Sequence, residues 1–150
     1  MVVESAQGLL LDQKYAPEGP DGLRTVHSTP SKTGTAGVLE ALGSYPRKLV
    51  LNYVTRSYMT RHGEGPFPEE TSGMSFPDET NMPNEYQGKI RFGLIDGQVY
   101  GKMKKRIAED AQGADARLVA THMNEIDNQF LRKGADYLSY ERDSSGIMER

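Results

Sequence analysis

Residues 95–121, Ile-Asp-Gly-Gln-Val-Tyr-Gly-Lys-Met-Lys-Lys-Arg-Ile-Ala-Glu-Asp-Ala-Gln-Gly-Ala-Asp-Ala-Arg-Leu-Val-Ala-Thr, decide the fold. Ile95, Val99, Met103 and Ile107 recur every four residues with lysines between them, which predicts an amphipathic helix over 96–110 whose apolar stripe lies on a sheet. Ala116 to Thr121 then reads as a buried strand. Asn124 can cap a second helix that carries Ile126, Phe130 and Leu131 and stops at Gly134, after which Tyr137-Leu138-Ser139 is a further short strand. Upstream, Lys48 to Met59 has the β-rich composition of one long strand, with Leu49, Leu51 and Tyr53 alternating against Val50, Asn52 and Val54. Strand, helix and strand in that order predict an α/β fold with a mainly parallel sheet and flanking helices, in which ligands bind at the carboxyl ends of the strands.

The remaining segments are loops with little regular structure. Val2 to Ala6 reads as a buried strand running into a tight turn at Gln7-Gly8. From Asp12 to Gly37 no apolar period survives, so this long stretch is either a functional loop or a mobile one. Val38 to Leu42 fits a short helix, and Arg61 to Gln87 is a second Pro- and Gly-rich loop in which Gly65-Pro66-Phe67-Pro68 forbids helix and regular ladder alike. All 150 residues are expected to form one domain.

Composition bounds the chemistry. With 18 basic and 21 acidic side chains the formal charge is −3, which gives no broad field for nucleic acid, and Lys102-Met103-Lys104-Lys105-Arg106 reads as a solvated helix face. The absence of cysteine excludes disulfides, thiolate zinc sites and cysteine nucleophiles. No apolar run approaches the ~18 residues needed to span a bilayer, and Met1-Val2-Val3-Glu4 does not begin a signal peptide, so a soluble cytoplasmic protein without membrane or nucleic-acid partners is expected. Walker-type, G-x-G-x-x-G, G-x-S-x-G and H-E-x-x-H motifs are all missing.

Three loops are expected to follow strands: Glu4-Ser5-Ala6-Gln7-Gly8, Thr60-Arg61-His62-Gly63-Glu64-Gly65-Pro66-Phe67-Pro68-Glu69, and Thr121-His122-Met123-Asn124. The second resembles the T-R-x-G-x-G-P-F-P-T-E signature of adenylosuccinate synthetases. Glu4 to Gly8 with Leu11-Asp12 is similar to that family's E-G-A-Q-G-x-L-L-D, and Asn84-Glu85 through Gly93-Leu94-Ile95-Asp96 to its N-E-(F/Y) and G-W-L-D. Order and spacing agree, and the match runs over nearly the whole chain, onto the later part of the longer family sequence.

The resemblance implies the P-loop-NTPase-like fold of that family, C-terminal portion only. It implies a ligase that joins L-aspartate to C6 of a purine monophosphate by phosphorylating O6 with a nucleoside triphosphate, ATP or GTP, and then displacing phosphate with the aspartate amine. Phosphorylation turns a poor leaving group into a good one, and Mg²⁺ neutralises the developing charge. The family's general base, catalytic histidine, glycine-rich phosphate loop and Mg²⁺ ligands map to its N-terminal part. The chain is therefore expected to supply half a site, to be inactive alone, and to work with a separate N-terminal half; the family's habit of dimerisation implies a homodimer. A nucleotide-binding or regulatory fragment without ligase activity is the alternative.

Residue by residue, Gln7 matches the glutamine that reaches the reacting edge of the purine, where a neutral amide can donate to a developing oxyanion; otherwise it satisfies a tight turn. Ser28, Thr29 and Ser31 fall in the family's Thr/Ser-rich 5′-phosphate stretch, although Pro30 and Lys32 depart from its pattern and a plain solvated loop remains open. Arg61 is a candidate for a phosphate or carboxylate, Gly63, Gly65 and Pro66 for loop shape, and His62 for a surface histidine. Gln87-Gly88-Lys89-Ile90-Arg91-Phe92-Gly93 is shorter than the family's T-T-G-R-x-R-R loop and lacks its threonine pair, with Lys89 and Arg91 left for the aspartate carboxylates and the nucleotide phosphate. This shortening resembles the 2-aminoadenylosuccinate synthetases of viruses and archaea, which act on (d)GMP in place of IMP. Thr121-His122-Met123-Asn124 stands at the family's T-K-L-D, whose aspartate reads guanine; with His122 and Ser139 beside it, Asn124 either reads the triphosphate's base or caps the following helix.

Overall fold

The computed structural model describes residues 1–5, 7–12, 14–15, 28–29, 31–43, 48–77, 81, 88–141 and 144–149. Its centre is a four-stranded sheet formed by β1 (Val50–Arg56), β4 (Asp115–Thr121), β5 (Tyr137–Ser139) and β6 (Ile147–Glu149), in the order β1-β4-β5-β6. β1 and β4 run parallel with Val50 opposite Asp115 and Arg56 opposite Thr121, β4 and β5 are parallel, and β6 closes one edge antiparallel. A separate antiparallel pair, β2 (Met59–His62) with β3 (Ile90–Gly93), leaves the chain between β1 and the long helix α2 (Gly97–Ala111). α1 (Thr35–Leu42) precedes β1, and α3 (Gln129–Gly134) joins β4 to β5. The fold is thus α/β with a mostly parallel sheet and flanking helices.

The helix periodicity positions the core. Ile107 packs from α2, and Ile95 just ahead of it, with Leu131 of α3, against Leu118, Ala120 and Leu138 of the sheet, joined by Met123, Ala135 and the half-buried Tyr53, Val99 and Met103. Asp96 caps α2, accepting from the N–H groups of Gln98 and Val99 at 2.9 and 2.8 Å, and the left-handed Gln112 (φ 50°) ends it. The other face of β1 stays open: Val54 is 67% exposed and Val50 37%. A parallel sheet is ordinarily covered on both faces, so among the described residues this sheet lacks one of its layers.

Several expectations are corrected. Residues 1–5 form no strand; Val2 lies 96% exposed, with no strand beside it among the described residues to satisfy an extended backbone. The run from Lys48 to Met59 is broken at Ser57-Tyr58 into β1 and β2, where buried Ser57 turns inward to bond the His122 carbonyl just beyond β4. α1 starts at Thr35, three residues earlier than its apolar residues indicate. Asn124 caps no helix. Residues 122–126 form a turn, and α3 begins only after Asn128, whose side chain accepts from the N–H groups of Phe130 and Leu131. β3 and β6 were not legible as strands, and most of the 12–37 and 78–87 stretches, including Pro30, Asn84 and Glu85, lie outside the described residues.

Candidate functional site

The carboxyl ends of β1, β4 and β5 converge. Beyond β4, His122 adopts a left-handed backbone (φ 59°), which non-glycine residues rarely hold without support. Support comes from its carbonyl, which accepts from the Ser57 hydroxyl at 2.7 Å and from the Glu125 N–H at 3.0 Å. The Met123 N–H donates to the Ser139 carbonyl at 3.1 Å, and the Met123 side chain is buried. The turn is therefore pinned on both sides while Asn124, between them, is exposed. His122, Asn124 and Ser139 come together here, the half-buried imidazole of His122 with Nδ1 2.9 Å from the Thr121 hydroxyl and the buried Ser139 hydroxyl donating to the Glu141 carbonyl at 3.0 Å.

An aromatic wall backs this turn. Tyr58 is 3% exposed, stacks on Phe76 with ring centres 4.3 Å apart, and meets His122 edge-on at 6.0 Å. Its hydroxyl donates to Glu125 at 2.5 Å, and burial, reinforced by that carboxylate, pushes the phenol up to about 12, so it stays a neutral donor at any physiological pH. Ser57, Tyr58, Glu125 and Asn128 were not singled out by the sequence. The one available sign is a small polar residue, Ser57, interrupting an otherwise β-rich run.

Arg61, Lys89 and Arg91 group on the β2–β3 hairpin. Arg61 and Arg91 are direct cross-strand partners. Arg91 donates through Nε and Nη2 to the two Glu70 oxygens at 3.0 and 2.6 Å and through Nη1 to the carbonyls of Gly63 and Gly65, both 3.0 Å. The bidentate pair holds the Glu70 carboxyl below its usual range and raises Arg91. Arg61 donates to the Glu64 carbonyl at 3.2 and 3.1 Å, and burial, with Arg91 opposite, lowers its pKa. Both guanidinium groups thus fasten the 63–70 loop, where Gly63 and Gly65 take φ of 65° and 110° that only glycine adopts freely. Lys89 is exposed. His62 is half-buried rather than on the surface, with Nε2 3.1 Å from Asn81 Oδ1.

The third group lies at the start of α1. Asp12 and Thr29 form a parallel bridge, and the Thr29 N–H donates to the Leu11 carbonyl at 2.8 Å. Asp12 Oδ2 accepts from the Thr33 N–H at 2.9 Å, and the Thr33 hydroxyl donates to the Gly8 carbonyl at 3.1 Å. Gln7 is exposed at the edge of this knot, and Ser28 is half-buried within it. Behind it, buried Asp110 of α2 accepts from the Thr35 N–H and hydroxyl and from the Tyr53 hydroxyl at 2.9, 2.8 and 2.8 Å, which anchors the N-terminus of α1. A cavity of about 400 Å³ lined by Thr71, Leu94, Asp96, Val99 and Lys102 takes in none of the sequence-predicted site residues. Among the described residues no three acidic or histidine side chains gather to hold a metal ion, and no helix is long and apolar enough to cross a membrane.

No protein-family model matches the chain. It is similar to the adenylosuccinate synthetases of Candida tropicalis, 41% identical over 71 residues, Candida glabrata, 39% identical over 71 residues, and a strain of Saccharomyces cerevisiae, 41% identical over 71 residues. In each case the matched residues are 47% of this chain and 15% of the relative, so the chain spans about 15% of the length of the curated relatives it matches. Over that shared segment the chain is similar to adenylosuccinate synthetases.

Proposed function

We propose that the chain is part of a purine nucleotide ligase of the adenylosuccinate synthetase kind, equivalent to a C-terminal portion of its P-loop-NTPase-like fold. The reaction joins L-aspartate to C6 of a purine monophosphate, IMP or, if the shortened 87–93 loop marks the 2-aminoadenylosuccinate branch, (d)GMP. The γ-phosphoryl group of a nucleoside triphosphate moves to O6; the aspartate amine then forms the C6–N bond as phosphate leaves with O6. The observation that carries this reading is the pinned turn at the carboxyl end of β4, the place where α/β sheets receive nucleotides, within a chain about 40% identical to adenylosuccinate synthetases over 47% of its length.

In this proposal Asn124, with His122 and Ser139, reads the base of the triphosphate. Guanine N1–H and N2–H₂ are both donors and suit a carboxylate, whereas an asparagine amide offers one acceptor and one donor, complementary to adenine N6 and N1. ATP is then the preferred co-substrate. Gln7 is the candidate donor at the reacting edge of the purine monophosphate, and Ser28 and Thr29 are candidates for its phosphate. Lys89 is the cation placed to meet an aspartate carboxylate, while Arg61 and Arg91 would have to exchange loop contacts to do so. Mg²⁺ supplies charge neutralisation when bound; on the family resemblance, its ligands, the general base and the phosphate-cradling loop are assigned to a further part of the ligase or a partner polypeptide. Dimerisation and a cytoplasmic location belong to the same proposal.

A nucleotide-binding role without ligase chemistry is the second reading, favoured by the engagement of Arg91 with Glu70 and two loop carbonyls. Aspartate-dependent phosphate release from ATP with IMP or dGMP decides between them. The ligase reading predicts no turnover by the 150-residue chain alone and turnover on adding the complementary half; nucleotide binding with no turnover in the reconstituted mixture supports the second reading.

A further inference from the structure

We propose that Ser57 and Asn128, neither of which faces the ligand, are positioning residues that set the geometry of the turn through which Asn124 reads a nucleotide base. The inference rests on the reading of Asn124 given above.

Ser57 is fully buried, and its hydroxyl donates to the His122 carbonyl at 2.7 Å. Its own carbonyl accepts from Asn128 Nδ2 at 3.2 Å, and the same nitrogen donates to the Ile95 carbonyl at 2.8 Å. The Asn128 Oδ1 meanwhile accepts from the N–H groups of Phe130 and Leu131. One buried amide therefore ties together the end of β1, the approach to α2 and the start of α3, and Ser57 passes that constraint to residue 122. His122 holds φ at 59° through a carbonyl that accepts from the Glu125 and Ile126 N–H groups within the turn and from the Ser57 hydroxyl outside it, so losing Ser57 removes the donor that fixes the turn to the end of β1. A turn released on that side presents the exposed Asn124 side chain over a wider range of orientations. Binding-site side chains need tight angular tolerance, and the fixing residues are buried and satisfied while the presented one is exposed, which is the arrangement of a preorganised reader.

Competition between ATP and GTP in the reconstituted ligase tests this, together with amide hydrogen exchange at Met123 and Glu125. Ser57→Ala should bring the ATP:GTP preference ratio at least about tenfold closer to one, and speed exchange at Met123 and Glu125 without changing it at Leu118 and Ala120. Asn128→Asp keeps the helix cap but loses both Nδ2 donors, and should move the ratio in the same direction. Ile107→Val, a core change on α2 outside the turn, provides a control for lost stability and should leave the ratio as it is. An unchanged ratio in Ser57→Ala, or an equal shift in Ile107→Val, overturns the positioning role. A reconstituted wild-type ligase that shows no preference between ATP and GTP overturns the base-reading assignment and this inference with it.

Discussion

Arg61 and Arg91 stand opposite one another as direct partners of the β2–β3 hairpin, and Glu70 answers Arg91 while Arg61 donates to the Glu64 carbonyl. Like charges directly opposed in an antiparallel pair are destabilising, so the hairpin depends on Glu70 staying ionised. Its carboxyl is held below the ordinary value by the Arg91 fork. A group depressed in the folded state adds stability above its unfolded pKa, about 4.3 for glutamate, and loses it as pH falls through the folded value. Glu70→Gln should therefore lower the urea midpoint at pH 7, with the gap to wild type closing below about pH 4. A gap of constant size across that range would contradict the assignment.

Asp110 gives a larger effect from a buried position. Its carboxylate receives three hydrogen bonds from Thr35 and Tyr53, and Gly34 packs so closely on it that a side chain there would overlap Oδ1. Asp110→Ala should destabilise the fold by roughly 1–3 kcal/mol, because the Thr35 N–H loses its acceptor at a buried site and the Thr35 and Tyr53 hydroxyls keep only each other, 3.2 Å apart. Asp110→Asn should cost less, since it keeps an acceptor. Urea denaturation of both variants checks the order, and equal losses would argue against hydrogen bonding as the cause.

The two faces of the sheet should respond unequally. Leu118, 2% exposed under α2, should cost roughly 2–5 kcal/mol on change to Ala. Val54 on the open face, 67% exposed, should cost under about 0.5 kcal/mol as Val54→Thr. Should Val54→Thr instead destabilise the chain like a core change, the face is covered in solution and the open layer does not exist as such.

This contrast also explains what was legible in the sequence. α2, β4 and β5 could be read because their apolar residues keep a helical or strand period against one core. The strand expected at Val2 to Ala6 rested on composition alone, and β-rich composition without a paired neighbour makes no strand. The sequence allows Asn124 as one candidate cap of α3, whereas Asn128 holds it; two asparagines four residues apart carry the same local signal, and long-range bonds to Ser57 and Ile95 choose between them. At the site, the grouping of His122, Asn124 and Ser139 follows from parallel strand order and was foreseeable. The pinning by Ser57 was not, since it joins residues 65 positions apart.

The competing role of Asn124 as a helix cap is removed by Asn128, so its exposed amide is free of that duty for the base reading proposed above. The most direct measurement is competition between ATP and GTP in the reconstituted ligase and in its Asn124→Asp variant. The account predicts a preference for ATP of roughly ten- to a hundredfold, the scale of one mismatched buried donor, and a tilt towards GTP once a carboxylate replaces the amide. The same nucleotide preference in both proteins would contradict it and place the reading of the base elsewhere.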